Sequence, residues 1–228
     1  MFSDDRVSYR VVDQPVGLSQ VMGVLSFMFL AMAAGALLVP PTMFLPAVVV
    51  EFALLFIIPA VSRRDRAQGK PVSHGMAGML ALVFAAAAGA VLAPVVQGLT
   101  QTEQGTTMLA EAALVAFGVF AVFGLYGLTT NRNLSGLARV LFFALLVLVG
   151  VSLLSLFFSN VFSPFALLIG LGGAGVFALL TAVDFQRAKA AGEDSAVMVA
   201  ISIFLDFVNL FAFVLDIMMI FGGGRARR

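Results

Sequence analysis

Seven runs of about twenty apolar residues follow one another along this chain, and that spacing leaves few folds open to it. A helix needs about 20 mostly apolar residues to cross the hydrocarbon core of a bilayer. The runs are Leu18 to Val39, Met43 to Val61, Gly75 to Val96, Met108 to Thr129, Leu137 to Phe158, Phe162 to Val183 and Ala196 to Phe221. The breaks between them are legible. Pro40 and Pro41 end the first run, and Ser62 to Pro71, with Arg63, Arg64, Arg66 and Lys70, ends the second. Gln97 to Thr107, Asn131 to Gly136, Ser159 to Pro164 and Gln186 to Ser195 separate the rest. Hydrophobic residues make up 61% of the chain and charged ones 11%, far below the roughly one quarter usual in soluble domains. The pattern predicts an all-α, polytopic membrane protein. One transmembrane domain occupies residues 18–221, between a polar segment at 1–17 and a short basic tail at 222–228.

Positive charge orients such a bundle. Residues 1–18 carry Arg6 and Arg10 among polar neighbours and do not read as a cleaved signal peptide, which turns apolar at once. The first span is therefore expected to double as the insertion signal. The N-terminal segment and the second, fourth and sixth connections hold ten basic residues, and the other connections none. That bias places the N-terminus in the cytoplasm. Seven crossings then leave Arg225, Arg227 and Arg228 outside, against the rule. The length of the last run favours a full crossing over a re-entrant segment.

Composition also excludes several chemistries. Cysteine is absent, so there is no disulfide, thiolate metal site or Cys nucleophile. His74 is the single histidine, which rules out a site needing two imidazoles. It opens the third span, where a solvated helix start is the plainer reading and a pH-sensing role the sharper one. No basic stretch suits nucleic acid. No His-Glu-x-x-His motif is present, nor a Gly-x-Gly-Asp motif around Asp184 or Asp206, so a membrane protease is not expected and the chain reads as a non-enzyme. No tightly bound cofactor is implied. Ala31 to Ala36, Ala85 to Ala90 and Gly170 to Gly175 are dense in small residues, which let helices approach closely in lipid. The Gly-rich stretch lacks a following Lys and lies within a span, so it is no phosphate loop.

The last run carries acid where acid is expensive. An Asp near the middle of a span costs about 2.5 to 3.5 kcal/mol on insertion scales. At about 100° per residue, Asp206, Ser202, Asn209 and Asp216 share a helical stripe about 80° wide. Such groups face a protein interior or a wet cavity. Asn209 and Asp216 are candidates for a polar pathway, with Asp216 lining an outer vestibule. Glu51 lies within the second span, as a cation relay or as a carboxyl hydrogen-bonded between helices. Glu111 lies nearer a helix start, where the macrodipole favours a carboxylate.

Several strings then match a known family. Leu125-Tyr126-Gly127-Leu128-Thr129-Thr130, followed by Asn133-Leu134-Ser135-Gly136, resembles the edge of helix four in the Bax inhibitor-1 family. Ala182-Val183-Asp184-Phe185-Gln186 resembles its helix-six ending, usually Ala-Tyr-Asp-Thr-Gln. Leu205-Asp206-Phe207-Val208-Asn209-Leu210-Phe211 is similar to its helix-seven signature, and Glu111-Ala112 to a Glu-Ala near the start of helix four. The bacterial YccA-like branch is the most similar. The resemblance implies two three-helix layers around a central seventh helix, in a bacterial inner membrane.

It also implies a pH-sensitive calcium leak whose sensor is a pair of aspartates, carried over to Asp184 and Asp206. Two carboxylates close together in low dielectric cannot both ionise cheaply, so they share a proton. Ionised, they need a cation between them, and Ca2+ prefers oxygen ligands. An arginine near the end of helix two engages the pair in one state. Arg63 and then Arg64 are the candidates, although the alignment can also put Ser62 there. Val183 and Phe185 replace a Tyr and a Thr of the family pattern and remove two hydrogen-bonding groups beside Asp184. The same resemblance offers an alternative, a non-transporting regulator that binds a membrane-anchored ATP-dependent protease through residues 1–17. On either reading the expected surroundings are lipid, with Ca2+ and protons as the traffic on the first.

Overall fold

The computed structural model describes residues 17–68, 75–191 and 196–223. Seven helices in it are long and apolar enough to cross a membrane. They are α1 (Gly17–Leu38), α2 (Phe44–Ala67), α3 (Met76–Leu99), α4 (Glu103–Thr129), α5 (Ser135–Phe157), α6 (Ala166–Lys189) and α7 (Ala196–Gly223). A one-turn helix, Ser159–Phe162, and a 3-10 turn, Ser163–Phe165, lead into α6. His74, the polar segment at 1–16 and the tail at 224–228 lie outside the described residues.

The helices outrun their apolar cores. α2 continues through Arg63 and Arg64 to Ala67, and α6 continues past Asp184 to Lys189. α4 starts five residues before the predicted run, because the Thr102 hydroxyl accepts from the Gly105 amide and caps it at 3.1 Å. Hydropathy marks the length that sits in hydrocarbon, whereas the backbone ladder continues into water wherever a cap or solvent receives it. Two expectations change as a result. Asp184 lies in the body of α6, five residues before its last residue, and not at its end. Glu111 lies more than two turns into α4, beyond the reach of the macrodipole, and Glu103 takes the helix-start position.

The packing sorts the helices into two triads. In one, α3 packs against both α1 and α2; in the other, α6 packs against both α4 and α5. α7 packs against α6 and α4 of one triad and α1 and, more lightly, α3 of the other. The last helix is therefore central, with its neighbours drawn from both layers.

Small residues decide how close the layers come. A Cβ on Gly35 would overlap the Ala86 carbonyl, and one on Gly89 would overlap the Met32 carbonyl, so α1 and α3 touch backbone to backbone at a reciprocal pair of glycines. Ala81, Ala85, Ala88 and Ala93 of α3 are buried in the same seam. In the second triad, Gly127 of α4 makes the same kind of approach to the Ala182 carbonyl of α6. The Gly-rich stretch of α6 divides by face. Gly170 and Gly173 leave room for Ile217 and the Phe213 ring of α7, while Gly172 and Gly175 meet nothing.

Side chains secure the connections. The Gln97 amide of α3 donates to the Ala36 and Val39 carbonyls at 3.0 and 2.8 Å, which satisfies the end of α1. Gln186 of α6 donates to the Arg132 carbonyl at 2.8 Å and accepts from the Leu134 amide at 2.9 Å, so it clamps the α4–α5 connection. The family-like strings at 131–136 and 182–186 thus meet in space.

The direction of α7 is settled by its ends. Gly17, the first residue of α1, abuts Ala191 beside the start of α7. At the other end Phe221 and Gly222 share a cavity with Glu103 and Gln104 at the start of α4. α7 therefore runs the full depth of the bundle, from the end that carries the basic connections to the opposite end.

Gly89→Leu is expected to push α1 off α3, costing about 1 to 3 kcal/mol or more through overpacking. Gly98→Leu, at a position with nothing within 4 Å, serves as the control. Thermal unfolding of detergent-purified protein should show a lowered Tm for the first variant and an unchanged one for the second.

Candidate functional site: an acidic pair inside the bundle

Asp184 and Asp206 are the two buried acids of the described core, 5% and 4% exposed. α6 supplies the first from its basic-end half. α7 supplies the second about 15 Å along its axis from its first residue, at 1.5 Å per residue. The two carboxylates lie within electrostatic reach of each other, and Arg187 lies within reach of both. Its guanidinium donates to Asp184 Oδ1 at 2.7 Å. Among the described residues Asp206 Oδ2 is buried with no hydrogen-bond partner. The pair is therefore asymmetric: Asp184 is held by a cation whose side chain is 57% exposed, and Asp206 keeps an unsatisfied oxygen in the core.

An aromatic chain crosses the bundle beside the pair. Phe84 of α3 meets Phe204 of α7 edge-on, with centroids 6.1 Å apart, and Phe204 meets Phe29 of α1 at 5.8 Å. Phe29 meets Phe207 at 4.8 Å, Phe207 meets Phe120 of α4 at 5.2 Å, and Phe120 meets Phe185 of α6 at 5.3 Å. Phe204 and Phe207 flank Asp206 in sequence, and Phe185 adjoins Asp184. Rings from five helices thus join into one chain, next in sequence to both acids. Edge-to-face contacts of this kind add about 0.5 to 1.5 kcal/mol each beyond their buried area.

The remaining polar positions separate clearly. Arg63 and Arg64 are exposed at the end of α2, and it is Ser62 between them and the core that turns inward, fully buried with an unpartnered hydroxyl. The expected arginine contact from α2 is not formed here, because neither guanidinium points into the bundle. The arginine at the pair is Arg187. Its spacing of three residues from Asp184 puts both on one helix face, a signal that was readable in the sequence. Glu51 is half-buried on α2, whose packing is with α3. Asn209 is half-buried and donates to the Leu205 carbonyl at 2.8 Å, and Ser202 donates to the Met198 carbonyl at 3.3 Å. Both bonds stay within α7, so these two stripe residues spend hydrogen bonds on their own helix.

At the end away from the basic connections, α7 is flanked by two cavities. One, about 650 Å3, has Glu111 on its wall together with Glu103 and Thr107 of the same α4 face. The other, about 670 Å3, has Asp216 on its wall. Glu111 and Asp216 are both exposed, which sets them apart from the sealed pair. Among the described residues no group of three or more His, Cys, Asp or Glu side chains is placed to hold a metal ion.

Fold and site together define a class: a seven-helix membrane protein with an acidic pair sealed around its central last helix. A family model described as inhibitor of apoptosis-promoting Bax1 matches residues 15–223. The chain is 28% identical over 223 residues to an uncharacterised membrane protein of Streptococcus pyogenes serotype M3, covering 94% of this chain and 90% of the relative. It is 29% identical over 189 residues to the inner membrane protein YbhL of Escherichia coli K12, covering 78% and 74%. An uncharacterised Helicobacter pylori protein is 28% identical over 173 residues, covering 76% and 74%. The chain belongs to the Bax inhibitor-1 family and is a multi-pass membrane protein.

A double-mutant cycle on Asp184→Asn and Arg187→Gln measures the ion pair. The expected coupling is about 1 to 3 kcal/mol, as for hydrogen bonds to charged groups, and nearer the lower figure because the guanidinium is largely in solvent. Arg187→Gln alone should destabilise more than Arg187→Gln on the Asp184→Asn background, read by thermal unfolding.

Proposed function

We propose that this protein is a pH-sensitive calcium leak of a bacterial inner membrane, with its N-terminus in the cytoplasm, gated by a proton-sharing pair formed by Asp184 and Asp206. The observation that carries this reading is the orphaned oxygen of Asp206, buried near a second carboxylate in the enclosed part of the central helix. A lone pair left unbonded in a core is costly for an anion. A proton relieves it, because a protonated Asp206 is itself a donor, and so does a passing cation. Proton occupancy then sets how tightly α6 and α7 hold together, which is how a local charge change becomes a gate.

Arg187 completes the switch from this chain's own residues. It neutralises one carboxylate of the pair from the basic end, so the remaining acid titrates against a fixed neighbour. Ca2+ is cargo on this reading. Two carboxylates, with no third acidic ligand grouped with them among the described residues, give a partial oxygen shell, which suits brief binding of an ion that keeps part of its water. The phenylalanine chain supplies the dry barrier that a closed state needs, as hydrophobic constrictions do in channels.

Calcium flux into dye-loaded proteoliposomes, followed from acid to neutral pH, tests the reading. Wild-type flux should change with pH. Asp206→Asn and Asp184→Asn should each flatten that profile, while Asn209→Ala should leave its shape alone. Profiles unaltered by both aspartate variants would remove the pair as sensor. Absence of flux from well-folded protein would favour the alternative, a regulator that engages a membrane-anchored protease through residues 1–17, and deletion of residues 2–15 would then abolish the partner effect.

A further inference from the structure

We infer that the cavity beside Asp216 is a binding site for a primary ammonium group carried on an apolar body. The site is separate from the acidic pair and does not depend on the leak reading. It lies where α5 packs on α6 and leaves the outer end of α7 uncovered. Its volume of about 670 Å3 falls within the range that holds small organic ligands.

Its polar groups converge from three directions. Ser152 and Ser155 come from one face of α5, three residues apart, and Ser159 and Ser163 from the turn that follows, four residues apart. Asp216 comes from α7 opposite them. Among the described residues Asp216 has no ion pair or hydrogen bond, and the Ser155 hydroxyl donates back to the Ser152 carbonyl at 2.7 Å, which leaves its oxygen free to accept. The rest of the wall is apolar and includes the rings of Phe162 and Phe213. Phe213 is held by stacking on Phe177, with centroids 6.0 Å apart, over the space left by Gly173.

That inventory selects the ligand class. Among the described residues of its wall the one formal charge is negative, which favours a cation over an anion. A dehydrated divalent ion needs six to eight oxygens, commonly several of them carboxylates. The cavity offers one carboxylate, and no group of three or more acidic or imidazole side chains is placed for a metal among the described residues. A primary ammonium has three N–H donors, matching one carboxylate and two hydroxyl acceptors. Its apolar body matches the remaining wall, where aromatic faces also attract a cation. Soluble amines and the headgroup of phosphatidylethanolamine both carry this chemistry.

The test uses the full chain in nanodiscs of phosphatidylglycerol alone, titrated with phenethylamine and followed by saturation-transfer NMR. Saturable binding is expected. Asp216→Asn should weaken it about tenfold, the loss that one hydrogen bond to a charged group represents, and Asp216→Glu should retain it. The neutral 3-phenylpropan-1-ol should compete poorly. Asp184→Asn should bind phenethylamine normally, which keeps this site distinct from the acidic pair. Competition by added phosphatidylethanolamine assigns the natural ammonium to a lipid headgroup, and lack of competition assigns it to a soluble amine. Both results support the ammonium assignment. Unsaturable partitioning, or binding that Asp216→Asn leaves unchanged, overturns it.

Discussion

A carboxylate cannot rest against lipid tails, and the architecture follows from how this chain avoids that. Asp206 sits in the middle of a helix long enough to span the bilayer, so that helix has to be enclosed by protein. Four others pack on it directly, α6 and α4 from one triad and α1 and α3 from the other, with α2 and α5 behind them. The enclosure closes only because backbones come into contact. Gly35 and Gly89 bring α1 against α3, and Gly127 brings α4 against α6. Side chains at those positions would hold the helices apart and open a path for lipid or water to the acid. The small residues and the acids, far apart in sequence, are two halves of one constraint.

Within that enclosure the polar groups are graded. Near the basic end, Asp184 has Arg187 and thus a link to solvent. In the centre, Asp206 has an oxygen with no partner among the described residues, on a helix whose Phe204 and Phe207 tie into a ring chain from five helices. Further along the same stripe, Asp216 opens into a cavity of serine hydroxyls. The stripe is continuous as geometry but not as environment, because α7 passes from a sealed core to a gap that α5 leaves open. The proposed proton-operated core and the proposed ammonium site therefore fall in different environments of one helix.

Much of this was legible before any coordinates. Seven apolar runs specified the number of spans, and acid on the last of them marked it as the one to be buried, since hydropathy and charge are local properties with large energies in a bilayer. The strings around Asp184 and Asp206 lie on the two helices that carry the buried acids of the described core. Errors clustered where apolar composition fades, at the starts of α4 and α6 and the ends of α2 and α6, because capping and backbone hydrogen bonds, rather than hydropathy, decide where a helix stops. Position along the chain singles out Arg63 and Arg64, whereas the inward face at that helix end belongs to Ser62 in this structure.

The amino-acid sequence by itself determined that this is a seven-span membrane protein with ionisable groups on its last helix, because span length and the cost of burying charge depend on residues in a row. Only the tertiary structure decided which cation meets Asp184, which oxygen of Asp206 stays unbonded, that Glu103 joins Glu111 on a cavity wall, and that four serines gather opposite Asp216. Each of those depends on which faces of separate helices turn toward one another, and that is set by close packing of small residues across the bundle, a property no single stretch of sequence contains.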